Sequence, residues 1–584
     1  MRKQLQDLRK AMEEAGVDVY LIPSGDCHNS EYVNKHFKCR EYVSGFTGSA
    51  GTLVVERDSA RLWTDGRYFL QAADQLAGSG IQLMKINEPG VPGIVEYLEA
   101  KAEEGSYRLG FDGRVISAGT GRRLEEELVT RDVELVWQQD LVADIWQDRP
   151  PVEASEIYSL PLKYTGKTAE EKLAAVRGEM KKNGAAHLLI SDLTETAWLL
   201  NLRGSDIECT PVFYAFTIVS EETVELFVLD PAQFERDLAG ELPFVQVRAY
   251  DDIYRALADL GKGRIWMSPA TASYALCRTL ADANDVLWQP TPISMMKAVK
   301  NESEIASTRK VHLRDGRCMV SFIFWLKSNV AEMELSEIEA SDWLDWERFD
   351  AGECYDLSFP TISGYGANGA IIHYQATATT DADLKPEGFL LVDSGGQYDG
   401  GTTDITRTIS LGPLTKKMKE YYTYVLKSHI ALATAVFEPG TTGRELDSIA
   451  RKPLADQGLD FNHGTGHGIG HMLSVHEGPN TISRRGAECA IVPGMITSNE
   501  PGVYIENEFG IRLENEILCV EDGGRYRFET ITYCPFDRAA IVKDLLTKDE
   551  LDWLNSYQKT VYDKLSPRLD PEEAKWLRRE TALL

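Results

Sequence analysis

The sequence predicts a mixed α/β (α+β) chain: two related α/β domains, followed by a third, larger unit of helices and acid-bearing strands. Three observations carry that expectation. At 584 residues the chain is too long for one hydrophobic core. Residues 8–22 (LRKAMEEAGVDVYLI) and 176–190 (VRGEMKKNGAAHLLI) align without a gap. Beyond residue 300 a long helical pattern opens, KNESEIASTRKVHLRDGRCMVSFIFWL.

Each copy of the repeat reads as a helix, a glycine at its C-terminal end (Gly16 or Gly184), and a buried strand. VSGFTGSAGTLVV follows in the first copy and LLNLRGSDIECTPVF in the second, then strand-like runs such as ARLWTD and VELFVLD. QDRPPVEAS has the composition of a linker. The expected domains are therefore 1–150, 155–298 and 301–584.

With 43% hydrophobic and 26% charged residues, the chain has the balance of a soluble globular protein. A formal charge of −29 argues against nucleic acid and against an anionic membrane surface as partners. The nine cysteines are scattered, with no CxxC, which suits a reducing compartment better than a disulfide framework or a zinc ribbon. The N-terminus reads as an amphipathic helix and a strand, without the apolar core of a signal peptide, and CMVSFIFWL (318–326) is too short to span a bilayer. A cytoplasmic location is the expectation.

The chemistry concentrates in the third unit. In LVDSGGQYDGGTTDITRT, Asp393 and Asp404 each close an apolar strand-like run, with a glycine-rich loop between them. An unpaired carboxylate at the edge of a buried strand costs several kcal/mol, so either a cation lies between the two or both cap turns. HGTGHGIGHMLSVHEGP supplies His463, His467, His471 and His476, four of the chain's ten histidines. Gly464, Gly466 and Gly468 oppose a zinc-binding helix here and favour a close-packed loop or strand edge. The glycine spacing is not that of a dinucleotide fingerprint. GMITSNEPGVYI places Glu500 at a strand end, and FGIRLENEILCV places Glu514 inside an apolar strand with Arg512 on the same face. Four carboxylates offset the four positive charges of two divalent ions. Oxygen-rich donors with one imidazole suit Mn²⁺, without excluding Co²⁺, Zn²⁺ or Fe²⁺.

Asp393, Asp404, the GHG around His467, NEPG with Glu500, and IRLEN with Glu514 together resemble the signature of the pita-bread metallopeptidases. That family includes methionine aminopeptidase, prolidase, aminopeptidase P and creatinase. Further stretches resemble the three-domain cytosolic aminopeptidase P: IPSGDCHNSEY (22–32), SGFTGSAGT (44–52), WTDGRYFLQA (63–72), MKAVKNESEI (296–305), NGAIIHY (368–374) and KWLRRET (575–581). The resemblance implies creatinase/prolidase-like N-terminal domains, a pita-bread third domain and a homodimer formed through it. It also implies Asp393 as a terminal ligand of one metal, His467 and Glu500 as terminal ligands of the other, and Asp404 and Glu514 as bridges.

The implied reaction releases the first residue of a peptide whose second residue is proline, by attack of a bridging hydroxide on the first carbonyl. Glu500 doubles as proton shuttle in that scheme, and His373 and His476 face the substrate or the oxyanion. His463 lines the site, and Tyr504 and Arg512 frame the proline pocket. Arg67, in WTDGRYF, matches a substrate-binding arginine, against the plainer reading of an Asp65–Arg67 pair. His471 has no counterpart and is read as structural. Prolidase activity on X-Pro dipeptides, and a peptide-binding relative without catalysis, are the competing readings.

Overall fold

A computed structural model describes residues 2–280 and 285–584. It divides into two compact units, Met1–Pro161 with Lys167–Ser294, and Leu162–Gly166 with Met295–Leu584.

The first unit holds two six-stranded sheets of one topology. In the first sheet the strands run Gln82–Lys85, Ala60–Thr64, Thr52–Glu56, Val19–Pro23, Tyr107–Gly110, Val133–Val136. In the second they run Val245–Ala249, Val224–Val228, Ala215–Ser220, His187–Ile190, Ile265–Met267, Val286–Trp288. The two repeat strands, Val19–Pro23 and His187–Ile190, occupy the same central place. Each pairs antiparallel on one side and parallel on the other. Helices Lys3–Ala15 and Ala169–Lys182 precede them. Gly16 and Gly184 both turn the chain at φ +65°, a conformation that glycine alone adopts without strain. The repeat is local grammar (helix, left-handed stop, buried strand) written twice, and it builds the same sheet twice.

In the second unit Asn301 caps the 28-residue helix Glu302–Asn329 through a capping box with Glu304. Val311, Cys318, Met319, Phe322, Ile323 and Leu326 bury one of its faces. Met319, Phe322, Ile323 and Leu326 share a core with the strand Phe389–Ser394 and the helices Lys416–Ala433 and Lys548–Leu565. Phe389–Ser394 lies between Ile362–Tyr365 and Ile405–Ser410, antiparallel to both. A second sheet joins Ile496–Asn499, Asn515–Asp522, Arg525–Thr530 and Val436–Phe437. Among the described residues, no helix is long and apolar enough to cross a membrane.

Three local expectations are corrected. Asp404 does not close a strand; it immediately precedes Ile405–Ser410. The glycine-rich segment before it is no open loop, because Gly396–Tyr398 and Gly401–Thr402 pair as a tight hairpin. Nor does Glu514 lie inside one continuous strand. Phe509–Arg512 pairs with Gly502–Ile505, and Asn515–Asp522 pairs with Ile496–Asn499. Leu513 and Glu514 are the switch between these partners, their amides held by the carbonyls of Pro501 and Thr406.

Candidate metal centre

The strand ends and turns of the second unit bring the predicted donors together. Asp393 is the penultimate residue of a fully buried strand, in register with Thr406, two residues after Asp404. His467 sits on the short strand Gly466–His467, paired with Thr481–Ile482. The glycines around it are needed for approach: a Cβ on Gly466 would lie 1.9 Å from the Ser498 carbonyl oxygen, and one on Gly468 2.0 Å from that of Glu477. Glu500 follows Ile496–Asn499, its amide donating to the Thr465 carbonyl at 2.9 Å. Glycine-flanked strand edges, not a helix, carry the imidazole.

Three overlapping groups have ligand atoms within 4.8 Å of one another: Asp393, Asp404 and Glu514; His467, Glu500 and Glu514; Asp404, His467 and His476. Asp404 and Glu514 each belong both to the group with Asp393 and to a group with His467. That is the connectivity two neighbouring cations require. Nε2 of His467 is 3.4 Å from both Asp404 Oδ2 and Glu500 Oε1. Its Nδ1 lies 3.0 Å from the Gly468 carbonyl oxygen, which can only accept, so Nδ1 carries a proton. In the neutral ring a lone pair on Nε2 then faces two carboxylates. Acceptors meeting acceptors in a buried space call for a cation.

The carboxylates say the same. Burial first, then the charges of Asp393, Glu500 and Glu516, push the Asp404 carboxyl well above the usual carboxylate range. Burial followed by Asp404, Glu500 and Asp393 does so to Glu514, and burial foremost raises Glu500. Asp393 Oδ1 and Glu514 Oε1 are buried without a hydrogen-bond partner. Orphaned anionic oxygens of this kind are rare in folded proteins unless something is bound, and divalent ions invert the local charge balance. The residues present fit a two-cation site.

One guanidinium ties the centre to its surroundings. Arg512 Nη2 is 2.6 Å from Asp393 Oδ2, and Nε donates to Thr406 Oγ1 at 3.2 Å, whose hydroxyl donates to Glu514 Oε2 at 2.7 Å. Nη1 donates to the Tyr504 hydroxyl at 2.8 Å, which lies 2.8 Å from His463 Nε2. His463 Nδ1 is 3.8 Å from Glu500 Oε2. Tyr504, Arg512 and His463 thus form one chain, and the His476 ring stands edge-on to His467 with centroids 4.3 Å apart. His373 follows Ile372, whose carbonyl accepts from Arg512 Nη2 at 3.4 Å. Arg67 belongs to the first unit, where Asp65 grips it bidentately at 2.9 Å twice.

Residues that the sequence reading missed complete the setting. Glu516 accepts the Asp404 amide at 2.9 Å through Oε1 and meets His312 Nε2 at 3.0 Å through Oε2. His429, fully buried, directs Nδ1 at the carbonyls of Asn499 (3.1 Å) and Leu513 (3.3 Å), the residues just before Glu500 and Glu514. Only Glu516 had a sequence signal, two positions beyond Glu514.

Antiparallel sheets and helices that bring buried acids around the His467 imidazole are the setting of a metallopeptidase. The model for metallopeptidase family M24 matches residues 306–521, and its C-terminal region matches 524–584. Creatinase/prolidase N-terminal domains match 4–145 and 148–304. The chain belongs to metallopeptidase family M24, and it is a hydrolase. It is 37% identical to "Aminopeptidase P1" of Arabidopsis thaliana over 647 residues, covering 100% of this chain and 99% of that one. It is 38% identical to "Probable Xaa-Pro aminopeptidase P" of Laccaria bicolor over 604 residues, covering 100% and 93%. A solved structure, "X-prolyl aminopeptidase from Caenorhabditis elegans: a cytosolic enzyme with a di-nuclear active site", superposes with a TM-score of 0.95 at 30% identity, over 100% of both chains.

Proposed function

We propose that this protein is a metal-dependent aminopeptidase that releases the N-terminal residue of peptides with proline in second place. The observation that carries it is the set of overlapping donor groups with orphaned carboxylate oxygens, in a chain similar over its full length to proteins of that named activity. Asp393, Asp404, Glu514, His467 and Glu500 would hold two divalent ions, with Asp404 and Glu514 shared. Four carboxylates and one imidazole favour Mn²⁺, ahead of Co²⁺, Zn²⁺ or Fe²⁺. When bound, the ions supply Lewis acidity toward a carbonyl oxygen and lower the pKa of water. The chain's own residues do the rest. Glu500, beside His467 and His463, would take a proton and return it to the leaving nitrogen. His373 and His476 would donate to the carbonyl oxygen as it gains charge. Arg512 orients Asp393 and, through Thr406, Glu514, while Tyr504 and His463 line the pocket. A bond to proline has no N–H to be recognised, so selectivity must come from the ring's shape.

The same reading takes the domains as 1–150, 155–298 and 301–584, a homodimer through the third domain, and a cytoplasmic location. The nine free cysteines and the cytosolic description of the C. elegans enzyme support the last. The test is metal-stripped protein reconstituted with Mn²⁺ and offered an X-Pro-Y tripeptide and an X-Pro dipeptide. Metal-dependent release of X from the tripeptide, absent in Asp404→Ala, is the expected result. Cleavage of the dipeptide alone would make the protein a prolidase. No cleavage with any divalent ion would leave a binding protein.

A further inference from the structure

His373 lies on no helix or strand; it follows the short 3₁₀ turn Gly366–Ala370. That turn packs tightly against the hairpin strand Phe509–Arg512, since a Cβ on Gly510 would fall 1.6 Å from the Gly369 carbonyl oxygen. A side chain that is to meet a reacting carbonyl must hold its place to within about 0.5 Å. Something must therefore fix the segment on either side. Upstream the anchor is Arg512, which holds the Ile372 carbonyl and the Asp393 carboxylate with the same nitrogen. Downstream the anchor is a carboxylate from another element.

Glu337 is the first residue of the helix Glu337–Asp350 and is 0% exposed. Its carboxylate gathers four residues of the His373 segment. Oε1 accepts from the Tyr365 amide at 2.6 Å and from Asn368 Nδ2 at 3.0 Å. Oε2 accepts from the Tyr374 hydroxyl at 2.8 Å and from the Ala382 amide at 3.0 Å, with Asn368 Nδ2 at 3.1 Å. The Glu337 amide returns a bond to the Ala382 carbonyl at 3.1 Å, and Ile338 N donates to Asp381 Oδ1 at 3.0 Å. One acid thus gathers both ends of the excursion from 365 to 382, and takes hold of the residue next to His373. Ser336 and Glu339 cap this helix, so the Glu337 carboxylate is not spent on its own helix start and all its bonds serve the excursion.

We propose that Glu337 is a positioning residue for His373, acting through Tyr374 and Asn368 and touching neither metal nor substrate. The inference rests on the catalytic part given to His373 above. Its test is a double-mutant cycle on the Mn²⁺-loaded enzyme, with kcat, KM and bound metal measured for Glu337→Gln, Tyr374→Phe, His373→Ala and their pairs. Glu337→Gln keeps the volume but sets an amide N–H₂ against donors. It should lower kcat by about 10- to 100-fold while KM and metal content hold. Tyr374→Phe removes the hydroxyl that meets Glu337, Asn368 and the Thr380 carbonyl, spares the helix start, and should fall between the parent and Glu337→Gln. In the His373→Ala background neither change should cost anything more. An equal fall in both backgrounds, or loss of metal in step with kcat, overturns the proposal and makes Glu337 a general structural residue. A His373→Ala enzyme with undiminished kcat overturns the role of His373 itself, and the proposal with it.

Discussion

Two buried polar clusters in this molecule use the same side chains to opposite ends. In the first unit Asp26 is 0% exposed and His28 2%. Asp26 Oδ1 accepts the amides of His28 (2.9 Å) and Ser30 (3.0 Å), and Oδ2 accepts the Tyr214 hydroxyl at 3.0 Å. His28 Nδ1 meets the Ser191 carbonyl and Nε2 the Tyr250 hydroxyl, both at 2.6 Å. Burial lowers the His28 pKa, so the ring stays neutral with one donor and one acceptor, each used. In the second unit, carboxylates of comparable burial face one another and the ring of His467. Burial alone therefore does not mark a site. What marks it is whether each lone pair has a donor: the Asp26 joint is complete without a ligand, and the Asp404 cluster is not.

The comparison breaks most sharply under isosteric neutralisation. Asp404→Asn should abolish peptidase activity, by about 10³-fold or more, because several kcal/mol of Lewis-acid stabilisation leave with the metals. In metal-stripped protein at pH 8 the same change should raise the urea midpoint, since it removes a charge opposed by Asp393, Glu500 and Glu516. Asp26→Asn should do the reverse. Its amide oxygen would keep the His28 and Ser30 amides but turn an N–H₂ donor toward the Tyr214 hydroxyl and forfeit the charge behind all three bonds, costing about 1–3 kcal/mol of stability. If Asp404→Asn instead destabilises the stripped protein as Asp26→Asn does, the acids are satisfied without cations and the contrast is lost.

The legible parts of this molecule are those written in adjacent residues. The helix–glycine–strand repeat was readable because Gly16 and Gly184 stop helices by a local conformational rule. Of the five proposed donors, Asp393, Asp404, His467 and Glu500 were readable because each lies beside a glycine- or proline-bearing stretch of unusual composition, and Glu514 because it is an acid in an apolar run. The supports were not. Glu337 is one acid among several in ELSEIEASDWLDWERFD, and nothing in that pattern separates it from Glu339, which only caps its own helix. His312 and His429 are single polar residues on helices, and their partners lie 204 and 70 or more positions away. The break at Leu513–Glu514 was hidden for a similar reason: FGIRLENEILCV is apolar enough for one strand, and only the tertiary partners divide it.

His429 sharpens the comparison on a pH axis, because it is a second histidine held neutral by complete pairing, here beside the metal centre. Asn515 Nδ2 donates to its Nε2 at 3.1 Å while Nδ1 serves two carbonyls. Burial, then the Arg407 charge, lowers its pKa from 6.5 to about 3. Between those values the unfolded chain binds the proton and the folded chain does not. The stability this ring contributes is thus whole above about pH 6.5 and is lost as pH falls toward about 3. His429→Gln should be less stable than the parent at pH 7.5, with the gap narrowing steadily by pH 4.5, as read from urea unfolding of the stripped proteins. A gap that stays constant with pH would mean that the ring is not kept neutral.

The smallest effect is expected at Arg67, where the first unit has a pair of the ordinary kind. Asp65 holds the guanidinium through Nε and Nη2, and the Tyr68 ring lies 5.3 Å beneath it. Both partners of the pair keep about a third of their side-chain surface in solvent (28% and 33%), so screening limits the pair to about 1 kcal/mol or less. The group lines an open polar cavity of about 340 Å³ with Ser24, Asn29, Ser30 and Glu31. A guanidinium held along its Nε–Nη2 edge and backed by a ring would, in the substrate-binding part the resemblance implies for Arg67, meet a peptide carbonyl at little entropic cost. Arg67→Ala should then raise KM by about 3- to 10-fold with kcat unchanged, the signature of uniform binding, and leave the urea midpoint nearly in place. A lowered midpoint with KM unmoved would put Arg67 in the same class as Asp26, a structural residue whose partners are already complete.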